Sequence, residues 1–139
     1  MSLVLDGSAT LAWIYGDETT DGIRAVFDRV LDDGATVPAL WRLEVANSLQ
    51  MAVRRKRVSE AFRDATLADL GWLKITVDPQ TEIHAWGATL RLADRLGLTL
   101  YDAAYLELAY RERLPLASLD RPLRAAAQSL GVEVLGMTE

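Results

Sequence analysis

The sequence predicts an α/β fold, a three-layer α/β/α sandwich around a mainly parallel central sheet. Three observations carry that expectation. Short apolar runs alternate with longer segments of helical spacing along the whole chain. Most of the runs are closed by Gly, Pro or Asp. Strands separated by helices must pair through crossover connections, which makes them parallel. At 139 residues the chain is expected to form one domain over residues 1–139, since domains run to roughly 100–200 residues.

The elements follow in order. Leu3-Val4-Leu5, stopped by Asp6-Gly7, reads as a buried first strand. A short helix from about Ser8 to Tyr15 ends at Gly16. Ile23, Val26, Phe27 and Val30 recur at helical spacing between Thr20 and Leu31, with Asp32-Asp33-Gly34 as the stop. Ala35-Thr36-Val37-Pro38 reads as a second strand. From about Leu40 an amphipathic helix carrying Leu43, Val45, Ala46, Leu49 and Val53 runs into the basic block Arg54-Arg55-Lys56-Arg57. Ser59 is the cap of a helix that carries Phe62, Leu67, Leu70 and Leu73. Leu73 to Val77 alternates as a third strand. Asp78-Pro79 then supplies a cap and a first-turn proline for a single helix reaching Leu96 and stopping at Gly97. Thr99 opens a helix to about Arg113. Pro115 to Leu119 is a fourth strand, Arg121 to Leu130 a helix, and Gly131 to Leu135 a last strand.

Composition narrows the function classes. Half of the residues are hydrophobic and a quarter charged, 50% and 25%, which suits a soluble globular protein with a substantial core. No apolar run approaches the ~20 residues that span a bilayer, so no membrane association is expected. The N-terminus has no basic leader and reaches Asp6 after five residues; a signal peptide is not expected and the cytoplasm is the expected compartment. Cysteine is absent, which excludes disulfides, thiolate zinc sites and a cysteine nucleophile. His84 is the single histidine, so acid–base catalysis by paired histidines is excluded. It reads as a partly exposed helix residue. The net charge of −5 argues against wrapping duplex nucleic acid through phosphate contacts. Arg54 to Arg57 is nevertheless a concentrated block, with Arg42 upstream and Arg121 and Arg124 elsewhere. The block reads equally as cations complementing a helix C-terminus and as a contact for a polyanion.

Among the acids, Asp6, Glu44, Asp102 and Asp120 occupy a particular kind of place. Asp6 and Asp120 end the first and fourth strands; Glu44 and Asp102 lie in the opening turns of helices. In an open parallel sheet the carboxyl ends of strands and the starts of the following helices share one edge, where ligand crevices form. Each acid also has a plain structural reading: Asp6 as a turn residue, Glu44 as a first-turn acid, Thr99-Leu-Tyr-Asp102 as a capping box, and Asp120 as an N-cap. Capping does not, however, require all four on one edge. A carboxylate pair ~4–5 Å apart repels by roughly 3–4 kcal/mol at an effective dielectric near 20. Four such groups would strain a domain worth ~5–15 kcal/mol unless some are protonated or a divalent cation sits among them. An all-oxygen donor set suits Mg2+ or Mn2+ and not zinc or copper. Such an ion lowers the pKa of water and stabilises charge on a transferring phosphate, so hydrolysis needs no side-chain nucleophile.

The same residues carry a resemblance. Leu5-Asp6-Gly7-Ser8, Leu43-Glu44-Val45-Ala46-Asn47, Tyr101-Asp102-Ala103-Ala104-Tyr105-Leu106 and Leu116-Ala117-Ser118-Leu119-Asp120 resemble the PIN-domain family, and within it the VapC toxins of toxin–antitoxin modules. The resemblance covers nearly the whole chain, and Tyr-Asp-Ala-x-Tyr-Leu is its most specific piece. It implies a parallel-sheet PIN fold, Mg2+- or Mn2+-dependent endoribonuclease activity, inhibition by a cognate VapB-type antitoxin, and a homodimer. Carried over by position, Asp6, Glu44, Asp102 and Asp120 match the metal-binding acids. Ser118 stands where the family often has threonine, and Ser8 where it is often polar. Asp-Gly-Ser at residues 6–8 is a mild departure from a glycine-poor start.

Asn47, one helical turn beyond Glu44, can share its face and orient it, contact substrate, or do neither. Trp13, Trp41, Trp72 and Trp86 are expected in the core; Trp13 and Trp41 could instead line a base-stacking or antitoxin groove. Two other readings remain. One is a catalytically inactive PIN-fold protein that binds an antitoxin, its acids serving only as caps. The other is a phosphatase of the haloacid-dehalogenase type starting from Asp6, for which Ser8 occupies the place of the required second aspartate.

Overall fold

The computed structural model describes residues 2–137. Five strands form one all-parallel sheet: β1 (Val4–Leu5), β2 (Ala35–Val37), β3 (Ile75–Val77), β4 (Leu116–Ala117) and β5 (Val134–Leu135), in spatial order β3-β2-β1-β4-β5. Val4 pairs with Thr36 on one side and Leu116 on the other. The strands are shorter than their apolar runs, but the flanking residues extend the ladder: Thr36 N donates to Leu3 O at 2.8 Å and Asp6 N to Ala117 O at 3.2 Å. Leu3, Val4 and Leu5 are completely buried, as a central strand covered on both faces requires.

The connecting helices are α1 (Gly7–Ile14), α2 (Asp21–Asp33), α3 (Trp41–Arg54), α4 (Glu60–Leu70), α5 (Thr81–Ala85), α6 (Ala88–Leu96), α7 (Leu100–Glu112) and α8 (Arg121–Ser129), with a 3-10 turn at Gly16–Glu18. Packing divides them into two groups. α1 packs on α2 and α3, and α3 on α4; α5, α6 and α7 pack together, and α7 on α8. The chain moves towards one sheet edge from β1 to β3 and towards the other from β4 to β5. Right-handed crossovers therefore place the two groups on opposite faces. α7 is buried continuously from Ala103 to Ala109, as a helix packed against both sheet and neighbouring helices should be. Gly34 and Gly97 end α2 and α6 at φ +79° and +68°, a region where Gly carries no Cβ penalty.

Two expectations are corrected. The single helix from Asp78 to Leu96 is two helices, broken at Trp86-Gly87, and it starts only at Thr81. Asp78 does not cap it. The carboxylate accepts from Gln80 N at 3.1 Å, closing a turn ahead of the helix, and from Arg111 Nη2 at 2.6 Å in a long-range ion pair. Trp72 and Trp86, expected in the core, are 89% and 91% exposed. Both lie at turns, where no neighbouring element covers them. Trp41 is buried and Trp13 stacks on Phe27 with ring centroids 4.1 Å apart. Among the described residues no helix is long and apolar enough to cross a membrane.

Candidate functional site

The order β3-β2-β1-β4-β5 reverses direction between β1 and β4, and the carboxyl edge of that pair is where a doubly wound sheet opens a crevice. Asp6 leaves β1 there, and Ser118, Leu119 and Asp120 leave β4. Asp6 is 4% exposed and is the N-cap of α1: its Oδ1 accepts from Ala9 N at 2.9 Å and from Ser8 Oγ at 2.7 Å. Ser8 Oγ in turn accepts from Leu119 N at 2.9 Å. The Ser8 hydroxyl thus ties the end of β1 to the loop after β4. Ser118, fully buried, donates its hydroxyl to Asp6 and accepts from Asp120 N at 3.1 Å. Asp120 caps α8 through Oδ2 and Leu123 N at 3.1 Å. Arg124 braces this loop, donating to Ser118 O at 2.7 Å and to Leu135 O at 2.9 Å. Its role is structural.

The other two acids arrive on helices. Glu44 lies in the first turn of α3 and its Oε1 accepts from Tyr105 Oη at 3.1 Å. A Cβ built on Gly7 would collide with that same Oε1, so the Asp-Gly-Ser start has a physical reason. Only glycine leaves room for the Glu44 carboxylate against the first turn of α1, where the Gly7 amide donates to it. Asp102 sits in the first turn of α7; Thr99 Oγ1 accepts from its backbone N at 3.1 Å.

The charges on these groups are interdependent. Burial pushes the Asp6 carboxyl up, the hydrogen bonds from Ala9, Ser118 and Ser8 restrain it, and the Asp102 charge raises it further. Glu44 is raised by burial and by the charges of Asp6 and Asp102, against the Tyr105 hydrogen bond. Asp102 is raised by burial and by Asp120. Tyr105 is pushed well above the ordinary phenol range by burial and by Glu44, Asp6 and Asp102, and so stays a hydrogen-bond donor. Burial and neighbouring charge therefore make Asp6, Glu44 and Asp102 harder to ionise, with the Asp120 charge acting on Asp102.

That arrangement has chemical consequences. Every donor in it is a carboxylate or hydroxyl oxygen, the set suited to Mg2+ or Mn2+. Among the described residues no three acids close round one point as a ready-made cage. An open arrangement fits Mg2+, which keeps several of its waters and takes only one or two carboxylates directly.

Not every expected residue joins the site. Asn47 is exposed and, among the described residues, makes no hydrogen bond to Glu44. Trp41 is removed from any stacking role by burial; its Nε1 donates to Thr10 Oγ1 at 3.1 Å. Tyr105 and Gly7 were quoted in the sequence motifs without a role. Tyr105 could have been found from its place one turn beyond Asp102. A cleft of ≈ 550 Å³ lies at the opposite, amino edge beside Tyr110, Arg113 and Leu130, away from the four acids.

Comparison with known proteins agrees with this fold. The family model described as PIN domain matches residues 3–128. The chain belongs to the PIN domain family. The chain is also similar to a solved structure, the crystal structure of PAE2754 from Pyrobaculum aerophilum, at 27% identity and a TM-score of 0.70, over 96% of this chain and 90% of that one. No curated protein matches. PIN domains are generally nucleases that use divalent metal ions, so a nuclease-type hydrolase is the coarse functional assignment.

Proposed function

We propose that the chain is a metal-dependent endoribonuclease and the toxin of a VapBC-type toxin–antitoxin pair, restrained by a cognate VapB-type antitoxin. The reading rests above all on three carboxyls, Asp6, Glu44 and Asp102, each raised by burial and then by a neighbouring acid at the β1–β4 edge, a state that a divalent cation relieves. The VapC-like Tyr101-Asp102-Ala103-Ala104-Tyr105-Leu106 motif supports the toxin assignment.

Asp6, Glu44 and Asp102 would hold the principal Mg2+ or Mn2+, one or two of them directly and the rest through its waters, with Asp120 beside them. A bound ion supplies positive charge for a transferring phosphate and lowers the pKa of water. The protein's own part is orientation. Ser8, Ser118 and Ala9 N fix the Asp6 carboxyl, Tyr105 Oη and Gly7 N fix Glu44, and Thr99 fixes Asp102. Ser118, hydrogen-bonded to Asp6 and to Asp120 N, aligns the two strand-end acids with each other.

The test is cleavage of cellular RNA in Mg2+ or Mn2+. Wild type is expected to cut, EDTA to stop it, and Asp6→Asn to abolish it while the fold survives. Cleavage that persists in EDTA or in Asp6→Asn overturns the reading. No Mn2+ binding by calorimetry would favour an idle interaction partner instead. Growth arrest on expression, relieved by co-expressing the neighbouring reading frame, tests the toxin–antitoxin part.

A further inference from the structure

This inference rests on the ribonuclease reading and concerns how RNA is held away from the acids. α1 and α3 leave the carboxyl ends of adjacent parallel strands β1 and β2 and pack on each other. They therefore run side by side in the same direction, with their first turns at the acids. Gly7 lies against the Glu44 carboxylate at that end. Farther along, Leu11 and Tyr15 of α1 and Asn47, Ser48, Met51 and Arg55 at α3 line a polar cleft of ≈ 350 Å³. On α3, Glu44, Ser48, Met51 and Arg55 are spaced four, three and four residues apart, which is one stripe of a helix. The stripe leads from the acid site to Arg55 over about 16 Å at 1.5 Å rise per residue.

The cations at its far end are not equivalent. Arg57 is engaged: its guanidinium lies 3.8 Å over the Tyr15 ring and pairs with Glu18 at 3.4 Å and Asp17 at 3.8 Å. Arg55, the exposed C-cap of α3, forms no ion pair among the described residues. Both arginines line the cleft, and of the two Arg55 is the one without an acid partner among the described residues. A guanidinium fork beside an amide and a hydroxyl matches a phosphodiester, which Arg binds in bidentate fashion.

We propose that Arg55, with Asn47 and Ser48, forms a second phosphate subsite. It holds a backbone phosphate of single-stranded RNA a few nucleotides from the bond cut at the acids. The acid end repels unmetallated phosphates while Arg55 attracts them, so the subsite sets the strand's register along the α1–α3 cleft.

The test uses labelled random-sequence RNA of increasing length, with Ca2+ in place of Mg2+ so that the strand stays intact. Wild-type affinity should step up once the strand reaches from the acids to Arg55. Arg55→Ala, an exposed change, should lose that step severalfold, reduce the slope of log affinity against log salt by ~0.7, and leave the shortest strands unaffected. A single methylphosphonate moved along the RNA should reproduce the loss at one position in wild type and cost nothing more in Arg55→Ala. Arg95→Ala on α6 serves as the charge control. A length dependence untouched by Arg55→Ala, or an equal loss in Arg95→Ala, overturns the subsite. So does a cleft that binds a polyglutamate peptide through Arg55 but not RNA. Failure of the underlying reading looks different: wild type then shows no metal-dependent cleavage at any length.

Discussion

Asp6 uses one carboxyl group for two tasks that the sequence presents as alternatives. It caps α1 through Ala9 N, and that bond holds it at the β1–β4 crevice. Asp120 does the same for α8. Capping is therefore the means by which these acids are aimed. At Gly7 a single Cβ decides where the Glu44 carboxylate can lie. Gly7→Ala would push the Glu44 carboxylate aside, and that displacement is cheap for a flexible side chain. Ala is also the better helix former, by up to about 1 kcal/mol. Thermal unfolding is thus expected to change little or rise, while Mn2+ affinity and cleavage fall. A full-activity Gly7→Ala would disprove the role given to Glu44. Tyr105→Phe removes the donor to Glu44 without emptying the core. Loss of a partner that orients a metal ligand costs about 10–100-fold in affinity or activity, and the loss should appear in Mn2+ calorimetry as well as in rate. An unchanged calorimetric isotherm would show that Tyr105 does not position Glu44.

At the scale of elements, α7 links the site to the opposite edge. Its first turn carries Asp102, its middle Tyr105, and its last turn Arg111, which pairs with Asp78 and with Glu107 at 2.8 Å. Burial raises the Asp78 carboxyl, but the hydrogen bonds from Arg111, Gln80 N and Thr81 and the Arg111 charge outweigh it and hold it below the usual range. Asp78 in the unfolded chain, with a pKa of about 3.9, takes up its proton at higher pH than in the fold. Its stabilisation is therefore complete above that pH and is lost as pH falls through the depressed folded value. Asp78→Asn should lower stability by about 1–3 kcal/mol at neutral pH and flatten the acid limb of a stability–pH curve. An acid limb identical to wild type would refute the pair. The raised site acids act with the opposite sign, since the fold takes up their protons first and the metal-free protein loses stability as pH rises through their folded values.

For the whole molecule, a net charge of −5 with four acids at one edge means that metal-free protein carries avoidable repulsion. A divalent ion bound only to the fold stabilises it by about 2.7 kcal/mol at 100 times Kd, a shift of several degrees for a domain of this size. Mn2+ is expected to raise the melting temperature of wild type and leave Asp6→Asn unmoved. Asp6→Asn itself should melt no lower than wild type in EDTA, because asparagine keeps the capping oxygen and removes a charge. An equal Mn2+ shift in both proteins would place the ion elsewhere.

The parallel α/β sandwich and the strand positions were legible in the sequence, and the four acids stood out there as candidates by their places at strand ends and helix starts. Apolar runs, helical spacing and capping residues are local signals, and strand-to-helix alternation leaves little choice of pairing. Gly97 as a stop and Thr99 as a cap followed from the same local chemistry. The sequence could not show that Asp78 pairs with Arg111, that Trp72 and Trp86 stay in solvent, or that Asn47 makes no hydrogen bond to Glu44 among the described residues. It also could not show that Gly7 and Tyr105 shape the Glu44 position. Each of these depends on a partner more than a helical turn away, and only packing decides which of two competing contacts a side chain makes.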